Sequence, residues 1–141
     1  MGRLSVGVDV SEKTLDVAYW DEDEDKAVLI GKFPNTPDGF QTIRREIEKQ
    51  RQKANATIVH VVMEPTGGYE QPFAHFAVQQ EGWKVSLPNP LYPKQWAKAM
   101  GKRAKTDRQD AKTLAQFGFV NDPLPWKPPS PRSGATGASA G

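Results

Sequence analysis

The N-terminal third of the chain alternates between apolar and polar residues. Apolar side chains take every second position over residues 4–10 and again over residues 15–19. A period of two predicts β-strands with one buried face. A third apolar stretch, at residues 27–33, follows an acidic turn at residues 21–25. The chain is therefore expected to open with a three-stranded antiparallel meander.

The pattern then changes to helices that alternate with strands. Thr36 and Pro37 indicate a helix start, because threonine caps a first turn and proline suits the first helical position. The apolar run at residues 58–63 predicts a buried central strand. Helical spacing returns over residues 73–82, and residues 84–87 predict a short strand. The order β-β-β-α-β-α-β predicts an α/β fold with a mixed five-stranded sheet and helices packed on it, which matches the ribonuclease H arrangement.

Prolines mark a second change in the pattern. Three of them fall within residues 88–93, which predicts loop or extended chain. A short helix over residues 95–100 and a flexible basic linker over residues 101–106 are expected to follow. A last helix is predicted over residues 107–117, with Thr106 as its cap.

Length and composition favour one soluble domain. The 141 residues suffice for a single hydrophobic core, and no apolar stretch approaches the roughly 20 residues that a membrane span needs. The absence of cysteine excludes disulfides and thiolate metal sites. With no signal sequence at the N-terminus, a cytoplasmic location without membrane contact is expected. We expect the domain to occupy residues 1–121, and residues 122–141 to form a disordered tail or linker remnant rich in Pro, Ser, Gly and Ala.

Positive charge is concentrated in one part of the sequence. Residues 1–83 contain nine Lys and Arg against fourteen Asp and Glu, whereas residues 84–118 contain eight against two, a net charge of +6. Such a run is often only a solvated face, but a polyanionic partner would also explain it. Tyr92 and Trp96, in the same stretch, could stack on bases. The side chains expected to contact nucleic-acid phosphates are Lys94, Lys98, Lys102, Arg103, Lys105 and Arg108.

Four acidic residues stand in unusual places. Asp9 lies inside the first predicted strand between two valines, and its face of the strand carries Gly7, which is small enough to let another segment approach closely. Glu64 directly follows the predicted central strand. Asp107 and Asp110 are three residues apart, and would be neighbours on one face of the last predicted helix.

Each acid also has a structural explanation, and these remain open. Asp9 could cap a turn with Ser11, and Glu64 could be an exposed turn residue. Asp107 and Asp110 could simply favour the positive N-terminal end of a helix. Taken together, however, four carboxylates from two strands and a late helix are what two-metal phosphoryl transfer requires, with Mg²⁺ or Mn²⁺ held by carboxylates and substrate oxygens.

Three sequence blocks resemble a known family. They are Gly-Val-Asp-Val-Ser at residues 7–11, Met-Glu-Pro-Thr-Gly-Gly-Tyr at residues 63–69 and Lys-Thr-Asp-Arg-Gln-Asp-Ala at residues 105–111. In this order they resemble the N-terminal domain of the DEDD insertion-sequence transposases, the insertion sequence one-ten family, which are relatives of the Piv DNA invertase. The third block is quite specific, whereas the first is shared by many unrelated proteins. The resemblance covers about residues 4–120.

The resemblance implies a catalytic domain on a ribonuclease-H-like (RuvC-like) fold. Asp9, Glu64, Asp107 and Asp110 would be its catalytic residues and its Mg²⁺ ligands, serving DNA strand cleavage and transfer in transposition. The implied partners are DNA and, for some members, a structured guide RNA, with the full-length protein a homo-oligomer. Full-length members carry a second domain with a serine proposed as nucleophile. This chain ends in a low-complexity tail instead, so the chain alone is expected not to complete strand exchange.

Two other classes of function compete with this interpretation. A non-catalytic RNA- or DNA-binding scaffold would keep the basic stretch and need no divalent ion. A sugar-kinase-like or actin-like ATPase also begins with an Asp-bearing strand hairpin, but it needs a second large domain to close on ATP. Metal titration separates the first of these from a nuclease.

The remaining candidate side chains are expected to be structural. His60 is predicted to be a hydrogen-bonded strand residue and His75 a helix-surface residue, because no further member of a histidine metal site or catalytic triad is evident. Trp83 is expected in the core. Gly67 and Gly68 are expected to form a plain turn, since they lack the lysine and helix signature of a nucleotide-binding loop.

Overall fold

The structure, a computed structural model, describes residues 2–102 and 109–129. Its elements follow the predicted order β-β-β-α-β-α-β, with two further helices after the last strand. No helix within these residues is long and apolar enough to cross a membrane. The strands are β1 (Arg3–Val10), β2 (Thr14–Asp21), β3 (Lys26–Pro34), β4 (Ile58–Met63) and β5 (Trp83–Ser86), and the helices are α1 (Pro37–Ala54), α2 (Gln71–Val78), α3 (Leu91–Ala99) and α4 (Ala111–Asn121).

The five strands form the predicted mixed sheet, in the order β3-β2-β1-β4-β5. The first three strands pair antiparallel as a meander, whereas β1 pairs parallel with β4 and β4 pairs parallel with β5. Parallel neighbours need a crossover connection, and α1 supplies the one between the meander and β4. The C-terminal ends of β1 and β4 therefore lie side by side at one edge of the sheet.

The first helix begins where the sequence predicts. The Thr36 side chain accepts a hydrogen bond from the Gly39 backbone N–H at 3.2 Å, which satisfies one of the free donors of the first turn. Phe40, Ile43 and Ile47 recur at helical spacing and are buried. They pack with apolar residues of the sheet and of α2 in the larger of two hydrophobic clusters.

Small residues let α4 lie directly on the opposite face of β1. A side chain on Gly7 would overlap backbone atoms of Ala111 and Ala115. Ser5 Oγ donates to the Ala115 carbonyl oxygen at 2.7 Å. Further along α4, a side chain on Gly118 would meet Ser5 Oγ. Successive α4 residues thus meet earlier and earlier β1 residues, so α4 runs antiparallel to β1 and its N-terminus lies at the end of β1 that carries Asp9.

The prediction of loop or extended chain at residues 88–93 is confirmed for residues 88–90 and wrong for residues 91–93. α3 begins at Leu91, four residues before the predicted short helix. Pro93 falls in the first turn, where a missing N–H breaks no intrahelical hydrogen bond. The Asn89 side-chain oxygen accepts the Leu91 N–H at 2.9 Å and so supports the helix start.

The last helix also begins later than predicted. α4 begins at Ala111, and Asp110 is its N-cap, with extended backbone and a carboxylate that accepts the Thr113 N–H at 2.8 Å. The expectation that Asp107 and Asp110 share one helical face is therefore wrong, because Asp110 precedes the helix. Asp107 and the predicted cap Thr106 lie outside the described residues.

The start of the predicted tail packs against the body of the protein. The Trp126 backbone N–H donates to the Val85 carbonyl oxygen at 2.6 Å, beside the outer edge of the sheet. Its ring contacts the larger hydrophobic cluster and meets the His75 ring edge-on at 5.4 Å. The expectation of a disordered tail is thus wrong for residues 122–126. We call residues 122–129 the strap. Residues 130–141 lie outside the described residues.

Candidate metal and nucleic-acid site

Two of the predicted site acids follow neighbouring parallel strands. Val8 of β1 is paired with Met63 of β4, so Asp9 and Glu64 are the next residues along each strand. Gly7 and Val62, one position before this last pair, both lie against α4. By the alternation of extended chain, the positions of Asp9 and Glu64 continue that row on the α4 side of the sheet. The register therefore puts Asp9 and Glu64 on the same face of the sheet. Positions on opposite faces would have excluded a shared site.

The two acids differ in burial. Asp9 is partly exposed, whereas Glu64 is only 3% exposed, so the alternative of Glu64 as an exposed turn residue is wrong. Ionising a buried carboxylate is costly unless hydrogen bonds or a nearby positive charge stabilise it. A divalent cation is one source of such a charge that Asp9 and Glu64 could help to hold, since carboxylate oxygens are the ligands that Mg²⁺ prefers.

Asp110 completes the set of described acids. It is exposed at the N-terminus of α4, the end of that helix that lies towards Asp9. Its capping bond to Thr113 confirms the structural role that the sequence left open for it. Within residues 2–102 and 109–129, no group of three or more His, Cys, Asp or Glu side chains is close enough to hold a metal ion. The fourth predicted acid, Asp107, lies outside those residues.

Glu70 is a buried acid that the sequence analysis missed. One carboxylate oxygen, Oε1, accepts the backbone N–H groups of Thr66 at 2.8 Å and Gly68 at 3.1 Å, and the Thr66 hydroxyl at 3.3 Å. The other oxygen accepts from the Gln71 side chain at 3.0 Å. Burial alone would raise the pKa of Glu70, but the hydrogen bonds from Gln71, Thr66 and Gly68 hold that pKa below its ordinary value. The available signal was an acid two residues after a pair of glycines and directly before a helix.

The loop after β4 is therefore organised by its own acid. Gly67 and Gly68 have φ angles of 70° and 102°, which side-chain-bearing residues rarely adopt. The Gly68 amide is taken by Glu70, so it is not presented to a phosphate. The prediction of a plain turn at Gly67 and Gly68 fits this arrangement.

Asn35 joins this loop to the turn after β1. Its side-chain nitrogen donates to the Ser11 carbonyl oxygen at 3.0 Å and to the Tyr69 carbonyl oxygen at 3.2 Å. Ser11 is two residues beyond Asp9, and Tyr69 belongs to the loop that begins at Glu64. The two acid-bearing strand ends are thus bridged by one amide.

Half of the predicted phosphate-contacting residues fall within the described structure. Lys94 and Lys98 lie on α3, and Lys102 follows that helix. α3 packs on α4 through Trp96, whose ring meets the Phe117 ring edge-on at 5.8 Å. Arg103, Lys105 and Arg108 lie outside the described residues.

An open groove of about 890 Å³ separates α3 from the strap. Trp96 and Tyr92 both line the groove, and the Tyr92 side chain is 60% exposed. Both aromatic residues with an expected role in base stacking thus share one groove. Its other lining residues are Leu87, Pro88, Asn89, Gln95, Phe117, Asn121, Pro123, Leu124, Pro125 and Trp126.

His60 is a hydrogen-bonded strand residue, as predicted, and it is fully buried. Its Nε2 atom lies 2.7 Å from Ser86 Oγ, and its Nδ1 atom lies 3.4 Å from an Asp122 carboxylate oxygen. Ser86 and Asp122 thus lie beside the two ring nitrogens, although the sequence indicated no partner for them. Ser86 is fully buried, however, and its hydroxyl is 2.8 Å from the Leu124 carbonyl oxygen, to which it donates. The group acts as a structural link between the sheet and the strap.

The charge state of His60 follows from its neighbours. Arg3 can only donate, so the 3.1 Å contact from its guanidinium makes His60 Nδ1 an acceptor and leaves the ring proton on Nε2. Burial lowers the pKa of His60 to about 4, the positive charges of Lys84 and Arg3 act in the same direction, and Asp122 opposes them. His60 is therefore neutral at physiological pH.

Trp83 is a core residue, as predicted. It is buried in β5, and its indole N–H donates to a Glu48 carboxylate oxygen at 2.7 Å. This bond ties the sheet to α1 on the face opposite α4.

The chain is similar in sequence to known recombination proteins over most of its length. The model of a family described as Transposase, of the DEDD IS110 type, matches residues 6–133. The chain is 34% identical over 130 residues to the pilin gene-inverting proteins of Moraxella lacunata and Moraxella bovis. These matches cover 92% of this chain and 38% of each relative, so the chain spans well under half of their length.

Solved structures similar to this chain include two of Thermus thermophilus RuvC. The one in complex with a Holliday junction substrate has a TM-score of 0.54 and 15% identity, and the match covers 88% of this chain and 99% of that chain. The other has a TM-score of 0.51 and 14% identity, covering 87% of this chain and 99% of that chain. At these identities the likeness establishes the fold, which is RuvC-like, as the sequence resemblance implied.

Proposed function

The chain belongs to the DEDD transposase family of the IS110 type, and from this premise we propose that it is the metal-dependent catalytic domain of a transposase or site-specific DNA recombinase. The observation that carries the proposal is the placement of Asp9 and Glu64 after adjacent parallel strands, on the sheet face covered by α4.

Asp9, Glu64 and Asp110 are proposed to hold Mg²⁺ or Mn²⁺, with Asp107 as the fourth ligand. Divalent ions at such a site supply charge that activates an attacking oxygen and stabilises the leaving oxygen of a phosphodiester. The buried Glu64 carboxylate would keep a fixed direction, because β4 and the loop behind it leave it little freedom. Asp9, which is partly exposed, would face the substrate side. Asp110 would add a ligand while it caps α4.

The basic part of the chain is proposed to contact the nucleic-acid backbone. Lys94, Lys98 and Lys102 follow one another along α3 and its end, in a stretch without acidic residues between Glu81 and Asp107. Arg103, Lys105 and Arg108 would extend this set. DNA is the proposed substrate, and a structured guide RNA and a homo-oligomeric full-length protein are proposed from the family resemblance.

Strand exchange is proposed to require more sequence than this chain contains. The chain spans 38% of the pilin gene-inverting proteins it resembles. The acids described above would bind metal and activate an oxygen, but none of them holds a broken DNA end covalently. This chain by itself is therefore expected to bind DNA, or at most to nick it.

Metal binding tests the catalytic proposal. We expect the wild-type chain to bind Mn²⁺ at roughly millimolar concentration, the weak end of carboxylate sites. Glu64→Gln should weaken that affinity at least tenfold, because it removes a negative ligand while preserving the volume of the side chain. Glu48→Gln, which alters a hydrogen-bonded acid on the other face of the sheet, is the matched control and should bind like wild type.

Two results would decide against the catalytic proposal. A chain that binds nucleic acid but no Mn²⁺ would favour the scaffold alternative. Equal Mn²⁺ affinities for Glu64→Gln and Glu48→Gln would place any metal elsewhere. The Mn²⁺ signal in electron paramagnetic resonance measures free ion directly and needs no catalytic turnover.

Salt dependence tests the proposed phosphate contacts. Replacing Lys94, Lys98 and Lys102 by Ala should weaken DNA binding. The plot of log affinity against log salt should also become flatter, by about 0.9 for each phosphate that is no longer neutralised. The control replaces Lys26, Lys49 and Lys53, which are outside the basic stretch, and removes the same charge. Equal slopes for the two triple variants would show that α3 makes no specific contact.

A further inference from the structure

We infer that Glu70 is a positioning residue for Glu64: its buried carboxylate fastens the loop that fixes where the Glu64 side chain lies. The inference rests on the proposed function, because Glu70 can position a metal ligand only if Glu64 binds metal. Glu70 lies six residues beyond Glu64 and does not itself belong to the set of proposed ligands.

The backbone on both sides of Glu64 is restrained. On its N-terminal side, β4 is a central strand held by β1 and β5. On its C-terminal side, Pro65 has a fixed φ angle and also keeps Glu64 itself out of helical conformations. Thr66 is the next residue whose backbone torsions are not restricted by proline, and its N–H donates to Glu70 Oε1 at 2.8 Å. Only two residues therefore separate the strand from the point that Glu70 fastens.

Glu70 fastens the loop with an unusual concentration of hydrogen bonds. Oε1 accepts three donors from Thr66 and Gly68, and Oε2 accepts one from Gln71. The residue is only 4% exposed, so little water competes for these donors. Hydrogen bonds to an ionised carboxylate are shorter and stronger than neutral ones, which makes the loop stiff at this point.

The fastened loop is also tied to the strand end that carries Asp9. Asn35 donates one hydrogen bond to Tyr69, next to Glu70, and another to Ser11, two residues after Asp9. A displacement of the loop would therefore change the separation of Asp9 and Glu64. Groups behind metal ligands commonly affect metal affinity by about tenfold to a hundredfold when they are removed.

A purely structural role for Glu70 would have a different signature. Glu70 also directly precedes α2, and its carbonyl oxygen accepts the Ala74 N–H at 2.9 Å. If it served only the start of α2, its removal would lower stability without changing metal affinity. The two roles are separated by comparing metal affinity with stability in the same variants.

The test uses the full chain with Glu70→Ala, Glu70→Gln and Glu70→Asp. Mn²⁺ affinity is measured by electron paramagnetic resonance, and amide hydrogen exchange at Thr66 and Gly68 reports on the loop without metal. We expect Glu70→Ala to weaken Mn²⁺ binding about tenfold and to speed exchange at both amides. Glu70→Gln should fall between wild type and Glu70→Ala, since its amide oxygen still accepts from Thr66 and Gly68 but carries no charge and leaves no acceptor for Gln71.

Glu48→Ala is the control for stability alone. Glu48 accepts hydrogen bonds from Trp83 and Arg51 and is remote from the loop, so its loss should lower the melting temperature and leave Mn²⁺ affinity unchanged. If Glu70→Ala does not fold, Glu70→Asp decides the question, because its shorter side chain cannot reach both amides and should also weaken Mn²⁺ binding.

The outcomes separate this inference from the proposed function. If Glu64→Gln loses Mn²⁺ binding but every folded Glu70 variant binds like wild type, the positioning role is overturned and the metal site stands. If the wild-type chain binds no Mn²⁺, or Glu64→Gln binds like wild type, the proposed function and the inference fall together. A Glu70→Gln variant as weak as Glu70→Ala would also overturn the inference, since the fastening hydrogen bonds would not then be the cause.

Discussion

His60 illustrates how single side chains tie the described parts of this protein together. Its ring accepts a hydrogen bond from Arg3 through Nδ1 and donates one to Ser86 through Nε2. The Ser86 hydroxyl in turn donates to the Leu124 carbonyl oxygen in the strap. Arg3 in turn donates to the carbonyl oxygen of Gly118, in the last turn of α4. One neutral histidine thus links β1, β5, α4 and the strap, and its protonation would break the acceptor at Nδ1.

Stability is expected to fall as the pH drops from about 6.5 to about 4. The pKa of His60 is lowered to about 4 in the folded protein from 6.5, so the unfolded chain binds more protons in this range. The contribution is fully present above pH 6.5 and is lost as the pH falls through the folded value, by about 3 kcal/mol at most. Denaturant melts at several pH values measure it.

The matched variant for this prediction is His60→Gln, which keeps a donor near Ser86 but does not titrate. It should be less stable than wild type at pH 7 and should lack this part of the pH dependence. His75→Gln alters the other histidine of the chain and should keep the pH dependence of wild type. A pH profile that is the same for wild type and His60→Gln would contradict the assignment.

Asp110 is expected to show two separable roles. Asp110→Asn keeps an oxygen that can accept the Thr113 N–H, so stability should stay within a few tenths of a kcal/mol of wild type. Asp110→Ala removes the cap and should cost about 1 kcal/mol. Both variants should weaken Mn²⁺ binding if the carboxylate is a ligand. Equal stability of the Asn and Ala variants, measured by chemical denaturation, would show that the cap contributes nothing.

The packing of α4 on β1 depends on backbone contact rather than on large side chains. Gly7, Ser5 and Gly118 keep the two elements close enough for Ser5 to donate to the Ala115 carbonyl oxygen. Leu114 and Phe117 then pack on Val62 beside this seam. The position of α4 sets where Asp110 lies, so a contact at Gly7 also controls one of the proposed ligands.

Gly7→Ala is expected to displace α4. The added methyl group would overlap backbone atoms of Ala111 and Ala115, which cannot move aside as a flexible side chain can. We expect a loss of about 3 kcal/mol, the upper end of the usual cost of overpacking. Gly31→Ala in β3 is the control, because its methyl group would meet only the Phe33 ring, and it should cost under about 1 kcal/mol. Thermal melts compare the two, and similar losses would refute close packing at Gly7 as the cause.

The strap extends the folded body beyond α4. It lies along the outer edge of β5, where Trp126 donates to Val85 and covers part of the hydrophobic cluster under α2. Exposed sheet edges invite pairing with other chains, and a segment laid along the edge prevents this. The path of the chain after α4 is therefore set by contacts with the sheet for residues 122–126.

Trp126→Ala is expected to lower stability by about 2 kcal/mol, because a partly buried indole loses its apolar contacts. Leu124→Ala is the natural control: the side chain is 86% exposed and only two residues away, so its loss should change stability by under about 0.5 kcal/mol. Equal effects in denaturant melts would mean that the strap does not contribute through Trp126.

Most of the framework could be read from local pattern. Strands and helices up to β5 appear within a few residues of their predicted places, because burial on one face imposes a period of two or of about 3.6 on the sequence. Asp9 and Glu64 were selected in the same way, as acids inside or directly behind apolar strands, and their role as metal ligands stays a prediction. The order of elements also led to the mixed five-stranded sheet of the RuvC-like fold, since a short meander followed by crossover units has few solutions.

Three features that local pattern missed were decided by the folded structure. The predicted loop at Pro93 is a helix, because proline is tolerated in a first turn and only the true start of α3 shows that it lies there. The sequence pattern did not single out Glu70, which is buried by the loop that its own carboxylate organises. The strap lacks a periodic pattern and is placed by a single tryptophan against β5. The strap depends on Val85, which is distant in sequence, whereas Glu70 and the start of α3 have partners within four residues and depend on how the chain closes locally. A carboxylate or an indole has no preferred place until its partners surround it.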